Sequence, residues 1–102
     1  MARRLDDGEI TRQLGDLPDW TRDGDTIRAS FTAPDFPTGI RLVDEVAADA
    51  ESMGHHPDID IRWTTVAFAL STHSEGGLTQ LDVELAHQIS QEAARRGAAA
   101  TG

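Results

Sequence analysis

A chain of 102 residues with 38% hydrophobic and 26% charged side chains has the size and balance of one domain, residues 1–102, with a single core and no room for a second. Cysteine is absent, which excludes disulfides, thiolate metal sites and thiol nucleophiles and fits a reducing compartment. Acidic residues outnumber basic ones 18 to 9, every basic residue is Arg, and a net charge of −9 argues against nucleic acid as a partner, because a phosphate backbone needs a basic face.

The N-terminal Met1-Ala2-Arg3-Arg4 runs into Leu5-Asp6-Asp7 with no apolar stretch behind it, unlike a signal peptide. Leu5 to Ile10 reads as a helix start: Asp6 is the N-cap, Glu9 its capping-box partner, and Leu5 with Ile10 a hydrophobic staple. Ile10, Leu14 and Leu17 share one side, and Pro18 ends the helix. From Trp20 the period becomes two. Ile27, Ala29 and Phe31 alternate with Arg28, Ser30 and Thr32 after an Asp23-Gly24-Asp25 turn, which predicts a hairpin of half-buried strands. Pro34 and Pro37 bracket a loop. Ile40, Val43, Val46, Ala50 and Met53 then recur at helical spacing from Thr38 until Gly54, placed as a left-handed C-cap.

After Pro57, Ile59, Ile61 and Trp63 keep one parity and Val66, Phe68 and Leu70 the other, so a turn near Thr64-Thr65 makes a second hairpin. Val66 to Leu70 is also the longest apolar run, far below the ~20 residues of a membrane span, so a soluble, cytoplasmic chain with no membrane partner is expected. Gly76-Gly77 breaks the chain. Thr79 as N-cap, Asp82 three residues on and Leu78 with Val83 as staple then start a last helix that runs to about Arg96, leaving 97–102 as a frayed tail. The order α-β-β-α-β-β-α predicts an α+β fold: a four-stranded antiparallel sheet with two long helices and one short helix on one face.

Three of the four histidines lie at junctions, His55 and His56 past a helix end and His73 at the end of the last strand; His87 sits within the last helix as a surface or interface residue. Imidazole suits proton transfer near neutral pH. A helix C-terminus also favours a positive side chain through its dipole, a purely structural use for such residues. Glu51 precedes His55 by one helical turn and is placed to orient it. Three imidazoles resemble a catalytic zinc set, but adjacent histidines in extended backbone point apart and the i, i+4 histidine spacing of metalloproteases is missing, so no metal is expected. Ser52, Ser71 and Ser74 lack a nucleophile elbow, and Gly76-Gly77 lacks a phosphate-loop fingerprint. Cofactor-free proton transfer remains.

Glu51-Ser-Met-Gly-His55-His56-Pro57, then Trp63 after five residues, His73 after nine more and Asp82 after eight, resembles the signature of pterin-4a-carbinolamine dehydratases. Leu70-Ser71-Thr72-His73 and Gly77-Leu78-Thr79-x-x-Asp82 resemble that family's strand end and helix start, and the likeness covers residues 5–92. It implies the fold read above. It also implies a 4a-hydroxytetrahydrobiopterin dehydratase, which releases water from 4a-hydroxytetrahydropterin in pterin recycling with no cofactor, the pterin being the substrate. On that resemblance His55 and His73 form the acid/base pair and His56 holds the pterin. Glu51, Pro57, Thr72, Ser74 and Glu75 line the pocket, Trp20 closes it, and Trp63 and Asp82 are motif positions. Trp63 replaces a usual tyrosine, and Thr64-Thr65 a polar turn. A homodimer or homotetramer is implied. The competing reading is a non-catalytic interaction or assembly module on the same scaffold.

Overall fold

Both capping boxes form in the computed structural model, which describes residues 2–101. In the first, the Asp6 carboxylate accepts the Glu9 N–H at 2.8 Å and Glu9 accepts the Asp6 N–H at 3.0 Å, starting α1 (Asp7–Leu14). Leu5, Ile10 and Leu17 are buried, so the staple anchors this short helix to the core.

The hairpin that follows is β1 (Thr21–Asp23) and β2 (Thr26–Thr32). α2 spans Phe36–Met53. It starts two residues before the Thr38 expected, because Asp35 caps it through the Thr38 N–H at 2.8 Å and Pro37 belongs to its first turn, where a missing N–H costs nothing. β3 (Asp58–Arg62) and β4 (Thr65–Leu70) form the second hairpin. Its turn is Trp63-Thr64, one residue earlier than expected, so Trp63 lies in no strand; it adopts φ +54° and is 79% exposed. α3 runs over Gln80–Arg95.

The strand order is β1-β2-β4-β3, antiparallel throughout, with a fifth strand beside β2. That strand, β5 (Ala99–Ala100), corrects the frayed tail: it pairs Phe31 and Thr32, Ala98 is buried, and Thr101 donates to the Ser30 carbonyl at 2.9 Å. β1 is too short to cover the whole of β2, and the chain end satisfies the backbone groups left over.

Ile27, Ala29 and Phe31 of β2 and Val66, Phe68 and Leu70 of β4 are buried in one cluster with Leu42, Val46 and Ala50 of α2 and Leu85, Ala86 and Ile89 of α3. Each large side chain there is worth about 1.5–3 kcal/mol by burial. The alternate strand residues, half-buried or exposed, form the second face of the sheet, and among the described residues none of the core helices packs there. Among the described residues no helix is long and apolar enough to cross a membrane.

Candidate functional site

Gly54 ends α2 in the left-handed conformation, φ +62°, and the His55 N–H returns to the Ala50 carbonyl at 3.1 Å. The next two side chains diverge. His55 turns inward and is 8% exposed, and its Nε2 lies 2.6 Å from Oδ1 of Asp82, which is fully buried at the start of α3. Asp82 Oδ2 accepts the Thr72 hydroxyl at 2.7 Å and the Thr79 N–H at 2.9 Å. With the Thr72 proton committed to Asp82, the Thr79 hydroxyl donates to Thr72 Oγ1 at 2.8 Å and accepts the Leu81 N–H at 3.2 Å. An ionised carboxylate only accepts, so His55 donates to it from Nε2 and its Nδ1 stays free of this contact. No buried side-chain nitrogen or oxygen among the described residues lacks a partner.

His56 turns outward. Its Nε2 meets Glu51 at 2.6 Å, with both side chains more than half exposed. The pairing expected for Glu51 is thereby corrected: the reversal at Gly54 sends His55 into the core and folds His56 back over the last turn of α2.

β4 ends at Leu70, so His73 stands three residues past the strand, as the first residue of a short 3-10 turn, His73–Glu75. Thr72 and Gly77 close this loop by backbone bonds of 3.0 and 3.4 Å. Gly76 takes φ +69°, the left-handed conformation that favours glycine, and a Cβ on Gly77 would lie 2.8 Å from Arg4 Cδ, so a larger residue there would have to displace the Arg4 side chain. The His73 side chain is exposed.

His56 and His73 share a small cavity of about 20 Å³ with Thr26, Asp58, Ala69, Leu70 and Ser71. His55 lies beside it in sequence but belongs to the buried cluster with Thr72 and Asp82. Pro57 is half-buried between His56 and β3, Ser74 is exposed and Glu75 half-buried on the 3-10 turn. The structure does not bring the two tryptophans there. Trp20 is buried in the core with its Nε1 donating to Ser90 Oγ at 2.9 Å, and Trp63 is at the opposite end of β3. Sequence reasoning passed over Thr26 and Asp58, and weighed Ser71 only as a nucleophile and as part of the strand-end motif. Ser71 and Asp58 flank the motif histidines and were within reach; Thr26 arrives only through the pairing of Ile27 with Leu70. Among the described residues no three His, Asp or Glu side chains group as a metal-binding set.

Residues 3–92 match the family model described as pterin 4 alpha carbinolamine dehydratase. A protein of Nocardia farcinica, provisionally named a pterin-4-alpha-carbinolamine dehydratase, is 60% identical over 87 residues, 85% of this chain and 92% of its own length. One from a Roseiflexus species with the same provisional name is 56% identical over 91 residues, 89% of this chain and 98% of its own. Among solved structures, a transcriptional coactivator/pterin dehydratase from Brucella melitensis superposes with a TM-score of 0.86 at 32% identity, covering 89% of this chain and 99% of that one. A pterin dehydratase-like protein identified as a RuBisCO assembly factor in the alpha-carboxysome shares the fold, with a TM-score of 0.60 at 20% identity over 72% of this chain and 86% of that one.

Proposed function

Because the chain belongs to the pterin 4 alpha carbinolamine dehydratase family, we propose that it removes water from a 4a-hydroxytetrahydropterin to give the quinonoid dihydropterin, with no further cofactor. In this elimination the C4a–O bond breaks and the hydroxyl leaves as water after taking a proton. The N5–H bond also breaks, and its electron pair becomes the C4a=N5 double bond. The protein must supply one acid and one base.

The buried 2.6 Å contact between His55 and Asp82 carries the reading. Two further donors hold that carboxylate in place, so beside its part in the fold it can fix the tautomer of His55 and support the imidazolium formed when Nδ1 accepts a proton. His55 is therefore assigned as the base for N5–H and His73, exposed on its turn, as the acid for the hydroxyl. His56, held by Glu51 on the cavity that His73 shares, positions the pterin. Stopped-flow absorbance of 4a-hydroxytetrahydropterin breakdown tests this. The native chain should accelerate it, and His73→Ala and His55→Gln should each lose about 10²–10⁴-fold with the melting temperature of His73→Ala unchanged. A folded native chain that gives no acceleration would sink the proposal.

The exposed large apolar residues Ile59, Ile61, Trp63 and Phe36 favour a self-association surface, and we assign β3 as the seam of a homodimer. The two-residue turn and the Arg62–Thr65 pairing direct the backbone groups of Asp58, Asp60 and Arg62 to β4, leaving those of Ile59 and Ile61 facing outward. A two-fold axis through Asp60 then pairs Ile59 with the partner's Ile61 twice, giving four backbone bonds, and sets Asp58 opposite the partner's Arg62 twice; it also brings the two copies of Asp60 together on the axis, an unfavourable pair that Arg62, 3.2 Å from Asp60, offsets. Light scattering should report a dimer, and Ile59→Lys/Ile61→Lys a monomer with the native circular dichroism; an unchanged mass in the variant excludes this seam. A native monomer that retains activity would do the same. The same surface is what a non-catalytic assembly module would use, and that second reading predicts a folded chain without turnover.

A further inference from the structure

The turn that carries His73 is fastened at both ends. At its start Thr72 donates to the buried Asp82 at 2.7 Å, and within it the Glu75 and Gly76 N–H groups return to the Thr72 and His73 carbonyls at 3.0 and 3.1 Å. At its far end the N-terminal segment crosses it. The Leu5 N–H donates to the Leu78 carbonyl at 2.8 Å, Arg4 pairs with Thr79 as an isolated bridge, and Leu5 and Leu78 are both buried. That segment is itself tied to α1, since Arg3 holds the Glu9 carboxylate by two bonds of 3.0 and 2.7 Å and also donates to the Arg4 carbonyl at 3.3 Å.

Arg4 lies over the double glycine. The three atoms nearest to a Cβ placed on Gly77 are its Cδ, Cγ and Nε, at 2.8, 3.2 and 3.4 Å, and its Nη1 would be 3.9 Å from a Cβ on Gly76. The aliphatic stem occupies the space that a side chain on Gly77 would need, and Gly77 is buried although Arg4 is exposed. A long cationic side chain covers a neighbour in this way while its head stays in water. Among the described residues Arg4 enters no ion pair, so what it offers the turn is its stem.

We infer that Arg4 is a positioning residue for His73, an inference that rests on the dehydration reading above. Its stem closes the outer side of the Gly76-Gly77 turn and so fixes how His73 faces the cavity it shares with His56. The test joins stopped-flow dehydration to amide hydrogen exchange. Arg4→Ala should lower kcat by about tenfold with KM within about twofold, because a displaced proton donor acts on the transition state and not on binding. Its melting temperature should move by no more than about 2 °C, the side chain being exposed. The Glu75, Gly76 and Gly77 amides should exchange about tenfold faster, the effect of taking two methylene groups off the turn. Arg4→Lys keeps the stem and should recover most of both losses. Gly77→Ala should slow turnover by crowding the stem, and Arg4→Ala/Gly77→Ala should be faster than Gly77→Ala, since the new methyl group then fills the vacated space. Unchanged kcat in Arg4→Ala, or a loss that Arg4→Lys does not recover, would overturn this role for Arg4 and leave dehydration standing. A lower melting temperature with faster exchange throughout the chain would also overturn it, making Arg4 a contact of the whole fold. A native chain without turnover would overturn the dehydration reading and this inference together.

Discussion

His55 and His56 are neighbours in the chain and have opposite surroundings. His55 is buried and bonded to a carboxylate that is itself fully buried and satisfied by two more donors, while His56 lies in solvent against an exposed Glu51 at the same 2.6 Å. Equal distances therefore do not mean equal energies. A buried charged partner has no water to fall back on when its contact is removed, whereas an exposed pair exchanges one solvated state for another. On the dehydration proposed above, the difference also divides the roles: the buried histidine, held by Asp82, is the base, and the exposed one contacts the pterin.

The largest break in this contrast should come at Asp82. Asp82→Ala removes the acceptor of His55, Thr72 and the Thr79 N–H together and leaves those donors buried, so a loss of about 3–5 kcal/mol is expected in urea unfolding. Asp82→Asn separates folding from chemistry. Its amide can still accept from some of these donors, but it cannot hold an imidazolium, so dehydration should fall more than stability does. A variant that loses less than about 1 kcal/mol would show that solvent reaches the cluster, and the contrast with His56 would collapse.

A second buried carboxylate on α3 sharpens the comparison. Glu92, near the helix C-terminus, is buried, yet hydrogen bonds from Asp49, Arg96 and Arg95 outweigh that burial and hold its pKa below the ordinary value. Asp49 on α2 is pushed the other way, by burial first and then by its hydrogen bond to Glu92 and the charge there. The folded protein therefore keeps the Asp49 proton above the pH at which the unfolded chain releases it. The stability this gives is complete below the ordinary aspartate value and is lost as pH rises through the raised one. Asp49→Asn keeps a donor for Glu92 and cannot ionise. Its melting temperature should exceed that of the native protein at neutral pH, and the gap should close on acidification through the Asp49 window. A gap that does not change with pH would mean that the two carboxyl groups do not share a proton.

Where sequence signals are local, they carried through to the structure. Both capping boxes, the Gly54 cap and the parities of β2 and β4 are set by residues within a turn of one another, and all form. Tertiary pairing was less legible. Ala99 and Ala100 have no strand propensity and become β5 only because β1 leaves the end of β2 open. Trp63 looked like a strand residue by parity, but a two-residue turn needed that position. Asp82 shows a different difficulty: its capping role already accounts for it, so nothing in the spacing announces that the same carboxylate also holds His55. Glu51 was assigned to the wrong histidine because helical spacing was extended past a left-handed cap that ends the helix.

Glu51 also gives the smallest expected effect. Glu51→Gln leaves an amide within reach of His56 and removes one exposed charge from a surface rich in acids. Exposed pairs of this kind contribute between nothing and about 1 kcal/mol, so the unfolding midpoint should move little. If His56 only positions the pterin, the change should appear in KM by a few-fold while kcat stays within about twofold, since an interaction made equally in ground and transition states acts on binding alone. A matching fall in kcat would place His56 among the groups that exchange protons. A large loss of stability would show that the exposed pair bears on the fold as the buried one does.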